Sequence, residues 1–110
     1  MVKSILPERL KRGDFIGVVS ASDPLKDIEK DKQFDSGIKF LKNMGFNMIL
    51  GKNLSSIDPE KRAEDINNFF KNKKVKAIIA SQGGDTSEKL LPFLDFEVIK
   101  KNPKIQFFLH

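Results

Sequence analysis

The sequence predicts an α/β fold, a flavodoxin-like open parallel sheet with helices on both faces. Short apolar runs alternate with amphipathic stretches along its 110 residues, which is the pattern of repeated strand–helix–strand units. The run at residues 75–80 is almost continuously apolar, as expected of a strand that helices cover on both faces. This length and an apolar content of 39% suit a single domain, so residues 1–110 are expected to form one.

The first strand is predicted at residues 15–19, and a short loop of small and polar residues follows it at 20–24. A helix comes next, and its apolar residues at helical spacing are Phe34, Ile38 and Leu41. Gly45 stands where this helix is expected to end. The second strand is then predicted at residues 46–50.

The second helix has the clearest start signal in the sequence. Asp58 suits the N-cap position, Pro59 suits the first helical position, and Glu60 favours the positive end of the helix dipole. The apolar face of this helix carries Ala63, Ile66, Phe69 and Phe70. That spacing is typical of ordinary core burial and does not indicate a cofactor site.

The third strand, at residues 75–80, leads through a loop at 81–84 into another predicted helix. Asp85 and Glu88 are spaced like a capping box at the start of that helix. Its inner side is expected to carry Leu90, Leu91 and Leu94. A last apolar run, at residues 105–109, predicts the fourth strand.

Charge and composition exclude several classes of function. Twenty basic residues are interleaved with fifteen acidic ones, and no arginine-rich stripe or aromatic platform accompanies the net charge of +5, so no nucleic-acid partner is expected. The longest apolar runs are far too short to cross a membrane. The sequence has no cysteine, which excludes disulfides and thiolate metal sites and favours a cytoplasmic location.

Two loops are predicted to form the site, because open parallel sheets bind ligands at the carboxyl ends of their strands. The loops are residues 20–23 and 81–85, and each follows an apolar strand. Gly83 and Gly84 let the main chain approach a ligand, and their N–H groups can face a carboxylate, a phosphate or a developing oxyanion. A tight strand-to-helix turn also needs glycine, so the pair alone leaves both interpretations open.

Other reactive side chains lack the partners that catalysis or metal binding requires. Asp23 and Asp85 have no further ligands at a metal-binding spacing, so neither a metal nor another cofactor is expected. His110 has no identifiable orienting partner and no nucleophile to face. The serines without an identifiable activating base are Ser20, Ser22, Ser81 and Ser87. No residue is therefore assigned as catalytic.

Residues 81–104 resemble the glycine-pair signature, helix, LLPxLD segment and NPK of the LD-carboxypeptidase family. The matching residues are Gly83, Gly84, Leu90, Leu91, Pro92, Leu94, Asp95, Asn102, Pro103 and Lys104. Ser81 and Asp85 are similar to the microcin C self-immunity branch of that family, more than to its murein-recycling branch. Residues 10–14 and 62–65 are also similar, so the resemblance spans nearly the whole chain.

The resemblance implies the N-terminal domain of a serine peptidase, truncated before its C-terminal catalytic domain. After NPK the family continues into Gly-Tyr-Ser-Asp, which contains the nucleophilic serine, whereas this chain continues as residues 105–110 and has His110 at that position. The family's glutamate and histidine are expected further on. The first loop also departs from the family's Ala-Pro-Ser, because it reads Ser20-Ala21-Ser22. No turnover is expected of such a chain alone.

The resemblance further implies that Gly83 and Gly84 stabilise an oxyanion and that Asp85 and Ser22 lie near the substrate. That substrate is expected to be a murein peptide or a peptidyl-nucleotide. An unpaired sheet edge favours an alternative, a non-enzymatic binding module that self-associates as a dimer or other homo-oligomer. A nucleotide-binding domain is a third hypothesis, but neither G-x-G-x-x-G nor G-x-x-x-x-G-K-[ST] occurs in the sequence.

Overall fold

The structure is a computed structural model that describes residues 9–20, 32–81 and 90–109. Within these ranges the strands are β1 (Phe15–Ser20), β2 (Asn47–Leu50), β3 (Val75–Ser81) and β4 (Ile105–Leu109). The helices are α1 (Lys32–Asn43), α2 (Pro59–Lys71) and α3 (Phe96–Lys101), with a 3-10 turn at Leu91–Phe93. No helix of the described part combines the length and the apolar character needed to pass through a bilayer.

The described strands form one parallel sheet in the order β2-β1-β3-β4. The chain moves one way from β1 to β2 and then returns across β1 to reach β3. This reversal places a topological switch point between β1 and β3, where open sheets form their binding crevice. The predicted α/β fold with an open parallel sheet is confirmed.

Helices cover both faces of this sheet, because successive strand residues point to opposite sides. On one face Val18 packs with Phe34 and Ile38 of α1. On the other face Val19 packs with Phe69 and Phe70 of α2. Side chains with almost no exposed surface include Ile16, Val18, Val19, Val75, Ile79 and Leu90. The central strands β1 and β3 are therefore apolar on both sides, as their sequences predict.

The end of α1 and the start of α2 follow local signals in the sequence. Gly45 has a φ of 100°, a left-handed conformation in which any side chain would be strained, and it lies just after α1. Asp58 caps α2, since its Oδ1 accepts a hydrogen bond from the Glu60 N–H at 2.9 Å. Pro59 occupies the first helical position, where its missing N–H costs nothing. Both predicted boundaries are confirmed.

The segment that leads to α3 differs from the single helix predicted through Leu90, Leu91 and Leu94. Leu90 is fully buried, but Leu91 is 46% exposed in the 3-10 turn, and Leu94 has an extended backbone with ψ of 138°. Pro92 lacks the N–H that a continuing α-helix would use. A separate helix then starts at Asp95, whose Oδ1 accepts a hydrogen bond from within its first turn at 3.2 Å. The prediction that the three leucines share one helix face is wrong.

Candidate functional site

The two loops predicted to form the site begin at neighbouring strand ends. Ser20, the last residue of β1, is paired with Ser81, the last residue of β3. Because these strands are parallel, the chain leaves both at the same carboxyl edge, next to the switch point. The roots of the two predicted site loops are thus neighbours, although they are far apart in the sequence.

The predicted site residues Ser22, Gly83, Gly84 and Asp85 lie outside the described residues. The same is true of Asp23, Ser87, Glu88 and His110. Among the residues that are described, no group of three or more His, Cys, Asp or Glu side chains is placed to hold a metal ion. The described residues that surround the predicted site lie at the end of β1, in the first turns of α2 and in the segment that leads into β4.

The Ser20 hydroxyl ties the end of β1 to the connection between β2 and α2. Ser20 is 1% exposed, and its Oγ donates a hydrogen bond to the Leu54 carbonyl oxygen at 2.8 Å. Leu54 is itself buried and packs on the α1 face of the sheet. A hydroxyl bonded in this way positions the framework of the site, so Ser20 is not assigned as a nucleophile.

Asp65 of α2 holds the first residues of the same connection. Its carboxylate is buried and accepts hydrogen bonds from the N–H of Lys52 at 3.2 Å and the N–H of Asn53 at 2.8 Å. It also accepts one from the side-chain amide of Asn53 at 2.9 Å. A Cβ on Gly51 would collide with this carboxylate, so the close approach requires glycine there. The apolar pattern did not single out Asp65, and the available signal was an acidic residue beside the apolar face of a helix.

Arg62, in the first turn of α2, is a second buried charge that the apolar pattern missed. The residue is 2% exposed. Its Nε and Nη1 are buried, and no hydrogen-bond acceptor lies within reach of either atom among the residues that the structure describes. Asp65, three residues further along the helix, directs its carboxylate at Lys52 and Asn53 instead.

The side chain of Asn67 fixes the path of the chain after Leu90. Its Nδ2 donates to the Phe93 carbonyl oxygen at 2.9 Å, and its Oδ1 accepts from the Asp95 N–H at 2.9 Å. These two bonds hold the backbone on either side of the extended residue Leu94 against α2. The LLPxLD segment of the sequence therefore has a framework role.

Lys104 anchors the start of β4. Its Nζ donates to the carbonyl oxygen of Asn72 at 2.9 Å and to that of Val75, where α2 turns into β3. From there β4 pairs in parallel with β3, and Leu109 lies opposite Ser81. β4 thus carries the chain to the same carboxyl edge from which the two predicted site loops leave.

Comparison with known protein families and sequences agrees with this architecture. The LD-carboxypeptidase N-terminal domain model matches residues 16–107. The microcin C7 self-immunity protein MccF of Escherichia coli is 36% identical over 92% of this chain and 31% of its own length. A probable murein peptide carboxypeptidase of Bacillus subtilis is 30% identical over 90% of this chain and 32% of its own. The chain spans about a third of the length of these relatives.

Solved structures show the same correspondence in three dimensions. An MccF-like protein from Bacillus anthracis superposes with a TM-score of 0.82 at 32% identity, over 94% of this chain and 33% of that one. The microcin C7 self-immunity protein MccF in complex with aspartyl sulfamoyl adenosine superposes with a TM-score of 0.78 at 34% identity. That match covers 93% of this chain and 32% of the other. Sequence and fold are thus shared over almost all of the present chain.

Proposed function

The chain belongs to the LD-carboxypeptidase family, and from this membership we propose that it is the N-terminal part of a serine carboxypeptidase or amidase. Such a hydrolase cleaves an amide bond next to a free carboxylate. The observation that supports the proposal is the pairing of Ser20 with Ser81, because it makes the starting points of the two predicted site loops neighbours at the switch point. A substrate bound there contacts both loops at once.

In this proposal the two loops bind and polarise the substrate. Gly83 and Gly84 present backbone N–H groups to the scissile carbonyl oxygen as negative charge develops on it. Asp85 and Ser22 lie against the substrate and orient it. Losing one oxyanion donor typically lowers the rate by about 100- to 1000-fold. In this proposal the glycine pair therefore makes a large contribution to stabilising the transition state.

The other half of the catalytic site in this family is a nucleophilic serine, and residues 105–110 contain no serine. In the family the serine follows the strand after NPK, and the present sequence has His110 in that position. The covalent route requires the serine hydroxyl to form the acyl-enzyme and a general base to activate it. The chain alone is therefore proposed to bind substrate without turning it over.

For the substrate we propose a murein peptide or a peptidyl-nucleotide, encountered in the cytoplasm. One relative is a probable murein peptide carboxypeptidase, and another has been solved in complex with aspartyl sulfamoyl adenosine. The N–H groups of a glycine pair donate hydrogen bonds to a carbonyl oxygen and do not contact the rest of the ligand. The same two loops can therefore bind either substrate class.

The test is an assay of the chain with an LD-linked murein peptide and, separately, with a peptidyl-nucleotide. Calorimetry measures binding, and mass spectrometry of the same samples measures product. The proposal predicts binding without product above background, and it predicts that Gly83→Ala weakens binding. Lys42→Ala, an exposed change in the last turn of α1, is the matched control that leaves binding unchanged. Product formation that exceeds background and survives Gly83→Ala would contradict the proposal.

A second candidate function is a non-enzymatic module that self-associates, and the exposed apolar side chains around α3 favour it. Leu91, Phe93 and Phe96 lie within six residues and are 46%, 41% and 56% exposed. In the described part of the chain β4 ends the sheet, so its outer edge offers backbone groups to another strand. Size-exclusion chromatography with light scattering is expected to show a dimer that Phe96→Asp dissociates. A strictly monomeric protein at high concentration would rule this module out.

A further inference from the structure

The amino edge of the sheet, opposite the predicted site, carries a concentration of positive charge that the proposed function does not use. The connections that lead into β3 and β4 enter the sheet there. Residues 71–76 and 100–104 contain seven lysines and no acidic residue. At the start of the neighbouring strand β1, the carboxylate of Asp14 accepts a hydrogen bond from the Lys11 N–H at 2.8 Å. The whole chain has a net charge of only +5, so the two segments are more positive than the protein as a whole.

Neutralising the two helix ends at this edge accounts for only part of that charge. α2 ends at Lys71 and α3 ends at Lys101. The last carbonyl groups of a helix together carry about −0.5 of an elementary charge, so two ends amount to about −1. Seven ammonium groups exceed this amount several-fold. Because like charges held close together repel each other, a bound anion is expected to stabilise the arrangement.

A pocket of about 170 Å³ lies between the two connections. Its lining residues, none of them acidic, are Lys73, Val75, Lys76, Asn102, Pro103 and Lys104. At about 30 Å³ per water molecule, this volume equals that of several waters. The pocket therefore suits a small anion or the charged end group of a larger ligand.

A β-bulge places Lys76 at this pocket. The pairing of β3 moves from Val75 directly to Ala77 while β1 advances by a single residue, which leaves Lys76 as an extra residue on β3. Residues two apart in a regular strand share a face. Val75, however, packs on the α2 face of the sheet, whereas Ala77 packs on the α1 face. Bulges re-aim side chains in this way next to functional sites, and the side chain concerned here is one of the pocket's lysines.

Lys104 contributes a charge that is already fixed in position. Its Nζ donates hydrogen bonds to the carbonyl oxygen of Asn72 at 2.9 Å and to that of Val75. A side chain that is ordered before a ligand arrives loses little further freedom on binding. Lys76 is partly buried, and Lys73 is exposed at the rim. The pocket thus combines one preorganised ammonium group with two that line its wall and its mouth.

We propose that Lys73, Lys76 and Lys104 form a phosphate-binding pocket at the amino edge of the sheet. A phosphate monoester carries about −1.5 to −2 charges at pH 7 and has three strong acceptor oxygens, whereas a carboxylate has a single charge and two oxygens. Lysine binds phosphate as a compact point charge. Three ammonium groups around one pocket therefore match a phosphate group better than a carboxylate. The group is either free phosphate or the end of a monoester, and its binding does not rest on the proposed function.

The test is a calorimetric titration of the whole chain with inorganic phosphate, at an ionic strength held constant with chloride. Saturable binding at one site is expected. Lys76→Gln and Lys73→Gln each remove one charge-assisted hydrogen bond and are expected to weaken binding about tenfold. Lys42→Gln, at an exposed lysine in the last turn of α1, is the matched control and leaves the affinity unchanged.

Glycerol 3-phosphate, with glycerol as its control, identifies the source of the phosphate group. If glycerol 3-phosphate binds as tightly as inorganic phosphate, the pocket accepts the end group of a larger ligand. If it does not bind, the pocket holds the free ion, and either result supports the site. Amide NMR signals of the labelled wild-type chain are expected to shift at Lys76 and Lys104, and this readout remains if Lys76→Gln fails to fold.

The proposal is overturned if inorganic phosphate shows no saturable binding, or if Lys76→Gln and Lys42→Gln weaken that binding equally. In the second case general surface charge explains the effect. Binding to vesicles that contain phosphatidylserine without binding to inorganic phosphate would also overturn it, because the lysines would then form a membrane-facing surface. These measurements need neither a peptide nor turnover, so their failure is distinguishable from failure of the proposed function.

Discussion

Replacing Asp65 by alanine tests whether a buried carboxylate holds the connection between β2 and α2 at the edge of the site. The change removes three hydrogen bonds, donated by the N–H of Lys52 and by the N–H and side-chain amide of Asn53. Bonds to a charged group contribute about 1.5–3 kcal/mol each. The donors are only partly buried and can bond to water instead, so we expect a net loss of about 3 kcal/mol in unfolding free energy.

For a chain of 110 residues this loss has a measurable effect on the unfolding midpoint. With an unfolding entropy of about 2.1 cal/mol/K per residue, it lowers the thermal midpoint by about 13 °C. The sequence has no tryptophan or tyrosine, so far-UV circular dichroism in urea and on heating is the suitable assay. Asp35→Ala is the matched control, because Asp35 pairs with Lys39 on the surface at 3.0 Å. The Asp35→Ala control should cost less than about 0.5 kcal/mol in unfolding free energy. An equal loss in the two variants would show that the Asp65 carboxylate does not hold this connection.

Three further substitutions test the packing around β1 and the anchor of β4. Gly17→Val puts a Cβ within 2.6 Å of the Phe69 ring, and it should lower the unfolding free energy by about 1–3 kcal/mol. Adding Phe69→Leu makes room for the new side chain and should restore part of that stability. Ser20→Ala removes a buried donor and should cost about 1 kcal/mol in urea unfolding; an unchanged midpoint would contradict its anchoring role. Lys104→Met loses two bonds to carbonyl oxygens and should cost about 1.5–3 kcal/mol, whereas the exposed change Lys101→Met should cost nothing measurable.

Features of the fold that depend on neighbouring residues were predictable from the sequence. The N-cap at Asp58 and the stop at Gly45 act through one helical turn, so their signals are complete within a few residues. The apolar run at 75–80 likewise predicted a strand buried on both faces. The helix expected through Leu94 failed because Pro92 and the bonds from Asn67 favour an extended segment there. Asn67 is distant in the sequence, so no local pattern contains that information.

The candidate site was predictable only in part. The rule that ligands bind at the carboxyl ends of parallel strands selected both loops as candidates, and the pairing of Ser20 with Ser81 makes the starting points of these loops neighbours. The strand order that creates the switch point results from packing between distant segments, and the local pattern does not encode it. Residues 62–65 were part of the family resemblance, but the burial of Arg62 and Asp65 was not predicted, because a charged residue beside an apolar helix face resembles a solvated one in sequence. Their burial depends on what covers the helix.

The most direct test of the account is to titrate an isotope-labelled sample of the chain with an LD-linked peptide and then determine the fate of the peptide. We expect amide NMR signals to shift at Ser20, Ser81 and the loops that follow them, and we expect the peptide to be recovered intact. Signals that shift only at the opposite edge of the sheet, around Lys104, would contradict the assignment of the site. Release of the terminal amino acid above background would contradict the claim that this chain binds its substrate without cleaving it.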